Sequence, residues 1–265
     1  MPYRRLPNSL PAVIRQLNAA YEAWDLYPQA RLIDPAQYDK LDDGPYNDGL
    51  IRRLNKEAGD VPLALAAQAP LTDAASRGIA QLTIWVSHFH QVYDLGVARG
   101  VFTAGGRAYY GREVNAQKVP NLSSAAEVIE VAGKIGPGEA ARRAAEGPTN
   151  VAMALPSAAQ VTAIYTPVKA QHDASLTAQA FTDLQQNELA ALYPEAQRLA
   201  VQLCNTVEYR LENADAYQHL SPAGRRAIAR RWGLVYIYES NETPDPGDDN
   251  AANTTLPVPP TPPTP

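Results

Sequence analysis

The feature that most constrains this chain is the step at which its apolar residues recur, three or four positions at a time over most of its length. From 72 to 99 the series Ala75, Ile79, Leu82, Val86, Phe89, Tyr93 and Val97 holds one face of a helix. Thr72 and Asp73 stand at its start, and Gly100 stands just past its end. Ile84, Trp85, Val92 and Leu95 add a second apolar flank. A helix apolar around most of its circumference needs neighbours on several sides, which predicts that 72–99 is the central spine of a bundle.

The same cadence predicts the other rods. Ser9 precedes Pro11 and the series Leu10, Val13, Ile14, Leu17, Tyr21 and Trp24, a capped helix with proline in its first turn. Residues 27–70 are broken up by Pro28, Pro35, Gly44, Pro45, Gly59, Pro62 and Pro70. They read as a winding connection with short helices after Pro35 and around 47–56. Ser123 or Ser124 caps a helix to about Lys134, and Gly136, Pro137 and Gly138 are expected to separate it from a short Ala- and Arg-rich one. Residues 157–193, with a kink expected at Pro167, and then a segment that Pro194 starts or bends and that carries Leu199, Leu203, Val207 and Leu211, give two long helices or one kinked one. Ser221 and Pro222 open a basic helix that stops at Gly233. The expected fold is mainly all-α: a multi-helix bundle of five to seven helices in one domain, residues 1–239.

Residues 234–238, Leu-Val-Tyr-Ile-Tyr, are rich in β-branched and aromatic side chains and read as one short strand near the C-terminus. A lone strand needs a partner. An extended stretch such as residues 2–7 would serve, and so would the same strand of another copy. From 240 to 265 prolines crowd among Asn, Thr and Asp, a composition that does not bury enough surface to offset ordering entropy, so a disordered tail is expected there.

Charge excludes some functions. The chain has 23 Lys and Arg against 28 Asp and Glu, and the excess lies from residue 239 onward, in Glu239, Glu242, Asp245, Asp248 and Asp249. A neutral body lacks the basic excess of a dedicated nucleic-acid binder. One cysteine, Cys204, permits no intrachain disulfide, and it reads as a small buried hydrophobe. The most apolar window, 79–97, is interrupted by Gln81, Ser87, His88, His90, Gln91 and Asp94, short of what a bilayer span needs. With no secretory signal in the opening residues, a cytoplasmic setting is expected.

Three constellations bear on chemistry. Ser87, His90 and Asp94 share a polar stripe on the spine and stack like a nucleophile, base and orienting acid. A helix interior has already committed the backbone donors that an oxyanion needs, so a polar stripe or buried network is the simpler account. His88, His90, Asp94 and His172 form a candidate polar or metal cluster, although His88 and His90 point some 200° apart on a helix. Glu188 and Glu208 would be further ligands by elimination. The glycine-rich 133–139 segment lacks a preceding strand and carries Glu139, so it reads as a helix turn rather than a phosphate cradle. Paired arginines at 225–226 and 230–231 give helix 222–232 the look of a helix-turn-helix element, but a strand and acids follow where a recognition helix should.

The expectation is therefore a non-enzymatic structural or interaction protein that self-associates or scaffolds other proteins, without cofactor or metal. Its contacts would run through Leu234, Val235, Tyr236, Ile237 and Tyr238 and through the tail. A helical metal-binding or hydrolytic enzyme built on Ser87, His90 and Asp94, and a DNA-binding regulator using helix 222–232, are the alternatives.

Overall fold

The computed structural model describes residues 3–42, 49–116, 118–147 and 151–238. The predicted disordered tail, 240–265, lies outside the described residues. The chain is mainly α-helical, as the apolar periodicity predicts. In order it runs β1 (Tyr3–Arg5), α1 (Leu10–Leu26), α2 (Pro35–Leu41), α3 (Leu50–Ala98), a 3-10 helix (Ala104–Tyr110), α4 (Ala125–Glu146), α5 (Ala158–Asn213), α6 (Asp215–Gln218), α7 (Pro222–Arg231) and β2 (Val235–Ile237).

Two compact units share this path. The first takes residues from both ends, 1–61 and 185–265; the second is the intervening 62–184. In the first, Val13, Leu17, Ala20 and Trp24 of α1 bury against Leu199, Leu203 and Val207 of α5, together with Trp232, Leu234 and Tyr236. In the second, Leu82, Val86, Phe89 and Tyr93 of α3 pack with Tyr110, with Val128, Ala132 and Ile135 of α4, and with Val161 and Val168 of α5. The face predicted for the spine is the buried one. Its second flank is divided: Ile84 and Leu95 are 68% and 53% exposed, while Trp85 is half-buried and Val92 packs against the core.

Prolines and glycines mark fewer boundaries than their sequence positions suggest. The spine begins at Leu50, not at Thr72, and α3 runs through Pro62 and Pro70 as one 49-residue helix. Each proline removes one ladder donor, and the intervening Leu63, Ala64, Leu65, Ala66 and Ala67 are strong helix formers that carry the helix across. Likewise α5 is one 56-residue helix containing Pro167 and Pro194. Gly136, Pro137 and Gly138 lie inside α4 and do not divide it. Those glycines permit close approach rather than a turn. A Cβ on Gly138 would sit 2.4 Å from the Tyr109 carbonyl oxygen, and one on Gly136 would sit 2.8 Å from Thr162 Oγ1.

Capping follows the sequence more closely. Ser124 and Glu127 form a reciprocal capping box at the start of α4, with Glu127 N–H donating to Ser124 Oγ at 3.3 Å and Ser124 N–H to Glu127 Oε2 at 2.9 Å. Ser221 caps α7 by accepting from Gly224 N–H at 3.2 Å.

The C-terminal strand has its partner within the chain. β1 and β2 pair antiparallel, Tyr3 opposite Ile237, Arg4 opposite Tyr236 and Arg5 opposite Val235. Of the two partners the sequence allowed, the extended N-terminal stretch is the one used. Glu208 of α5 fastens both strands, accepting from Arg4 Nη1 at 2.6 Å and from the Tyr236 hydroxyl at 2.9 Å. No helix among the described residues is long and apolar enough to cross a membrane.

Candidate functional site

The second unit holds the densest collection of buried polar groups, and α3 brings the first of them in. His90 is fully buried, between Phe89 and Tyr110, whose rings meet it edge-on at 5.7 and 6.3 Å. Neither ring nitrogen has a hydrogen-bond partner. Burial, reinforced by the nearby Arg112 cation, lowers its pKa to about 4, so the imidazole is neutral at pH 7.

One turn on, Asp94 is claimed by two arginines. It accepts from Arg107 Nε at 2.8 Å and from Arg112 Nη1 and Nη2 at 3.0 and 2.9 Å. Burial alone would raise the Asp94 carboxyl, but the two guanidinium groups outweigh it and hold the carboxyl below its usual range. These contacts pin the segment after the 3-10 helix, because Arg107 also donates to Val114 O and Arg112 to Lys118 O, at 2.8 and 2.7 Å.

A second network lies deeper. Arg142 of α4 is fully buried and donates to both oxygens of Glu139 at 3.0 and 3.1 Å, to Glu146 at 2.7 Å and to Val151 O at 2.8 Å. Glu139 also accepts from the Tyr110 hydroxyl and from Met153 N–H. Burial opposes ionisation of Glu139, but these donors win and keep its carboxyl below the usual range. Tyr93, whose hydroxyl donates to Thr103 O at 3.0 Å, stacks on Phe102 at 4.9 Å, and both rings lie near the Arg142 guanidinium. The network ties α3, the 3-10 helix, α4 and the chain entering α5 to one another.

The sequence singled out Ser87, His90 and Asp94, and the structure does not join them. Ser87 Oγ accepts from Gln91 at 3.1 Å, Asp94 is occupied by arginines, and His90 bonds to neither. His88 is exposed and His172 half-buried. Among the described residues no three His, Cys, Asp or Glu side chains gather where they would hold a metal ion. Arg107, Arg112, Glu139, Arg142 and Tyr110 were not anticipated as a group. The i, i+3 and i+4 spacing of Glu139, Arg142 and Glu146 was the available signal for part of it.

Chemically, the two networks hold loops; they present no open acid, base or nucleophile. Glu139 touches an open groove of about 650 Å³, whose floor is largely small side chains such as Gly136, Ala140, Ala158 and Thr162, but its oxygens face inward to Arg142, Tyr110 and Met153. Burial pushes the Cys204 thiol in the first unit up to about 12, which makes it inert as a nucleophile.

The strand residues proposed for association are partly spoken for. Leu234 and Tyr236 are buried in the first unit, while Val235, Ile237 and Tyr238 are half-buried. The arginines of α7 engage the chain's own aromatic groups: Arg230 lies over Tyr236 and Arg231 over Tyr27, at 5.8 and 5.7 Å, and Arg226 donates to Tyr238 at 3.4 Å. Gln16 of α1 donates to Trp232 O at 2.9 Å, and β2 follows where a recognition helix would have to lie.

Large apolar side chains stand exposed instead on the long helices of the second unit: Leu63, Leu65 and Leu71 on α3, and Leu176, Phe181 and Leu184 on α5. Comparison with known protein families, curated proteins and solved structures finds no match.

Proposed function

We propose that this chain is a non-enzymatic structural or interaction protein that self-associates or scaffolds other proteins. The observation that carries the reading is the set of large apolar side chains that α3 and α5 leave exposed, since covering them with another surface would remove that apolar area from water. Support comes also from the buried polar groups, whose mutual ion pairs commit them to holding loops. The paired strand narrows the role first given to residues 234–238: two of the five serve the first unit's own core, so the contact surface moves to the helices. The proline-rich composition of 240–265 suits a docking segment for a second protein, and a cytoplasmic setting accompanies the reading.

Sedimentation velocity of the full chain tests this. The weight-average mass is expected to climb between about 5 and 300 µM, as weak interfaces do. A mass that stays at 28.7 kDa across that range ends the self-association reading.

A further inference from the structure

His90 is out of water on α3, and among the described residues neither of its ring nitrogens has a partner. Burying an imidazole without hydrogen bonds costs free energy, and what surrounds the ring is aromatic, the edges of Phe89 and Tyr110. One turn along the same face lies Asp94, the natural acceptor for a protonated histidine four residues before it. That acceptor is already taken. Arg112 holds both Asp94 oxygens, at 3.0 and 2.9 Å, and Arg107 adds a third donor at 2.8 Å.

A proton on His90 upsets this balance. The charges beside the ring are Asp94 on α3, with Arg107 on the 3-10 helix and Arg112 just beyond it, two cations against one anion. A third positive charge is repelled there until one cation leaves. Tyr110 donates its hydroxyl to Glu139 of α4, whose charge Arg142 balances, and α5 brings Val161, Ile164, Tyr165 and Val168 to the same core, none of them charged. His88, Glu113 and Lys118 are exposed. Arg112 is the cation placed to leave. The 3-10 helix that carries Arg107 is held at both ends, by Tyr93 on Thr103 O and by Glu139 on Tyr110. Arg112 lies past the turn at Gly111, where φ is +74°, and it is the residue that ties the chain beyond that turn to α3.

We infer that His90 is a proton-operated latch: on taking up a proton it draws Asp94 away from Arg112, and residues 111–116 come off α3 while the helices stay formed. The direction follows from linkage. The imidazole titrates at about 4 in the closed form and near 6.5 once released, so the released form takes the proton first and gains population as pH falls from 6.5 towards 4. Asp94 and Glu139, both held below the usual carboxylate range, remain ionised at pH 5. The latch is independent of self-association; in a chain that binds other proteins it makes the freedom of residues 111–116 depend on pH.

The test is amide hydrogen exchange of the full chain, read by NMR at pH 7.5 and 5.0 and corrected for the intrinsic pH dependence of exchange. The amides of Arg112 and Ala116 donate to Arg107 O and Glu113 O. Both are expected to lose protection at least tenfold at pH 5.0, within the roughly thirtyfold that the two titration points allow. Amides of Val86, Val168 and Leu203, inside the helices, are expected to keep theirs. In His90→Phe, which fills the same aromatic setting, Arg112 and Ala116 should be equally protected at both pH values. Unchanged protection in the parent, an equal loss in His90→Phe, or a loss shared by Val86 and Val168 as in unfolding of the whole unit overturns the latch. Should His90→Phe melt early at pH 7.5, His90→Leu takes its place under the same requirement.

Discussion

Arg142 donates to both carboxylate oxygens of Glu139 one turn before it on α4, and the guanidinium is entirely out of water. The pair is stable because Tyr110, Met153, Glu146 and Val151 satisfy the remaining donors and acceptors. Glu139→Ala strips that cation of its bidentate partner and is expected to cost about 3–5 kcal/mol, whereas Glu139→Met/Arg142→Met should recover much of the loss. Urea unfolding of the single and double variants checks this. A loss under about 1 kcal/mol for Glu139→Ala would show that the pair is dispensable.

Stability should fall with acidification in a window set by His90. Its folded pKa, about 4, lies below the unfolded value near 6.5, so the unfolded chain takes up the proton first. The destabilisation is absent above about pH 7, grows as pH drops through 6.5 and levels off near 4, reaching about 3 kcal/mol at most. Asp94 and Glu139, both depressed, lose their stabilising contribution only at lower pH, so they do not mask the upper part of the window. Melts of the parent and of His90→Phe from pH 7.5 to 5 distinguish the cases; equal slopes would remove His90 as the source.

Close approach marks Gly106 and Gly138 but not Gly105. A Cβ on Gly106 would sit 1.9 Å from the Tyr93 hydroxyl, and one on Gly138 would sit 2.4 Å from the Tyr109 carbonyl, while Gly105 has nothing within 4 Å. Gly138→Ala should therefore cost more than about 2 kcal/mol by forcing α4 off the 3-10 helix, and Gly105→Ala should be near neutral. Thermal unfolding ranks the variants. Equal melts for the two would contradict the packing described.

Cys204 should resist thiol reagents in the native protein at pH 8, since it is buried and its pKa is pushed to about 12. Full reaction is expected once urea unfolds the chain. Rapid labelling of folded protein would mean that the first unit opens around α5.

Much of the fold was legible because the apolar step was regular. The faces of α1 and of α3 beyond Thr72, the two serine caps, the buried cysteine and the strand near the C-terminus could all be read from spacing and residue type. Reading proline and glycine as punctuation failed at Pro62, Pro70 and Pro137, since helix formers on either side and packing across α4 outweigh a local penalty. The polar core was mostly illegible. Asp94, Arg107 and Arg112 meet through the fold of a loop, and Tyr110 reaches Glu139 across 29 positions, which no helical period encodes. His90 stood out in the sequence for the company it keeps on a helix, yet its environment is aromatic and its nitrogens bond to nothing.

The pairing of Tyr3–Arg5 with Val235–Ile237 fixes an order of events. A ribosome releases residues 62–184 before it has made residues 185–238 of the first unit, so α1 emerges early and must wait, its apolar face uncovered, for the end of α5 and for β2 to arrive. Helix α1 therefore depends on synthesis running through β2, and a product stalled before it would leave Val13, Leu17 and Trp24 open to chaperones.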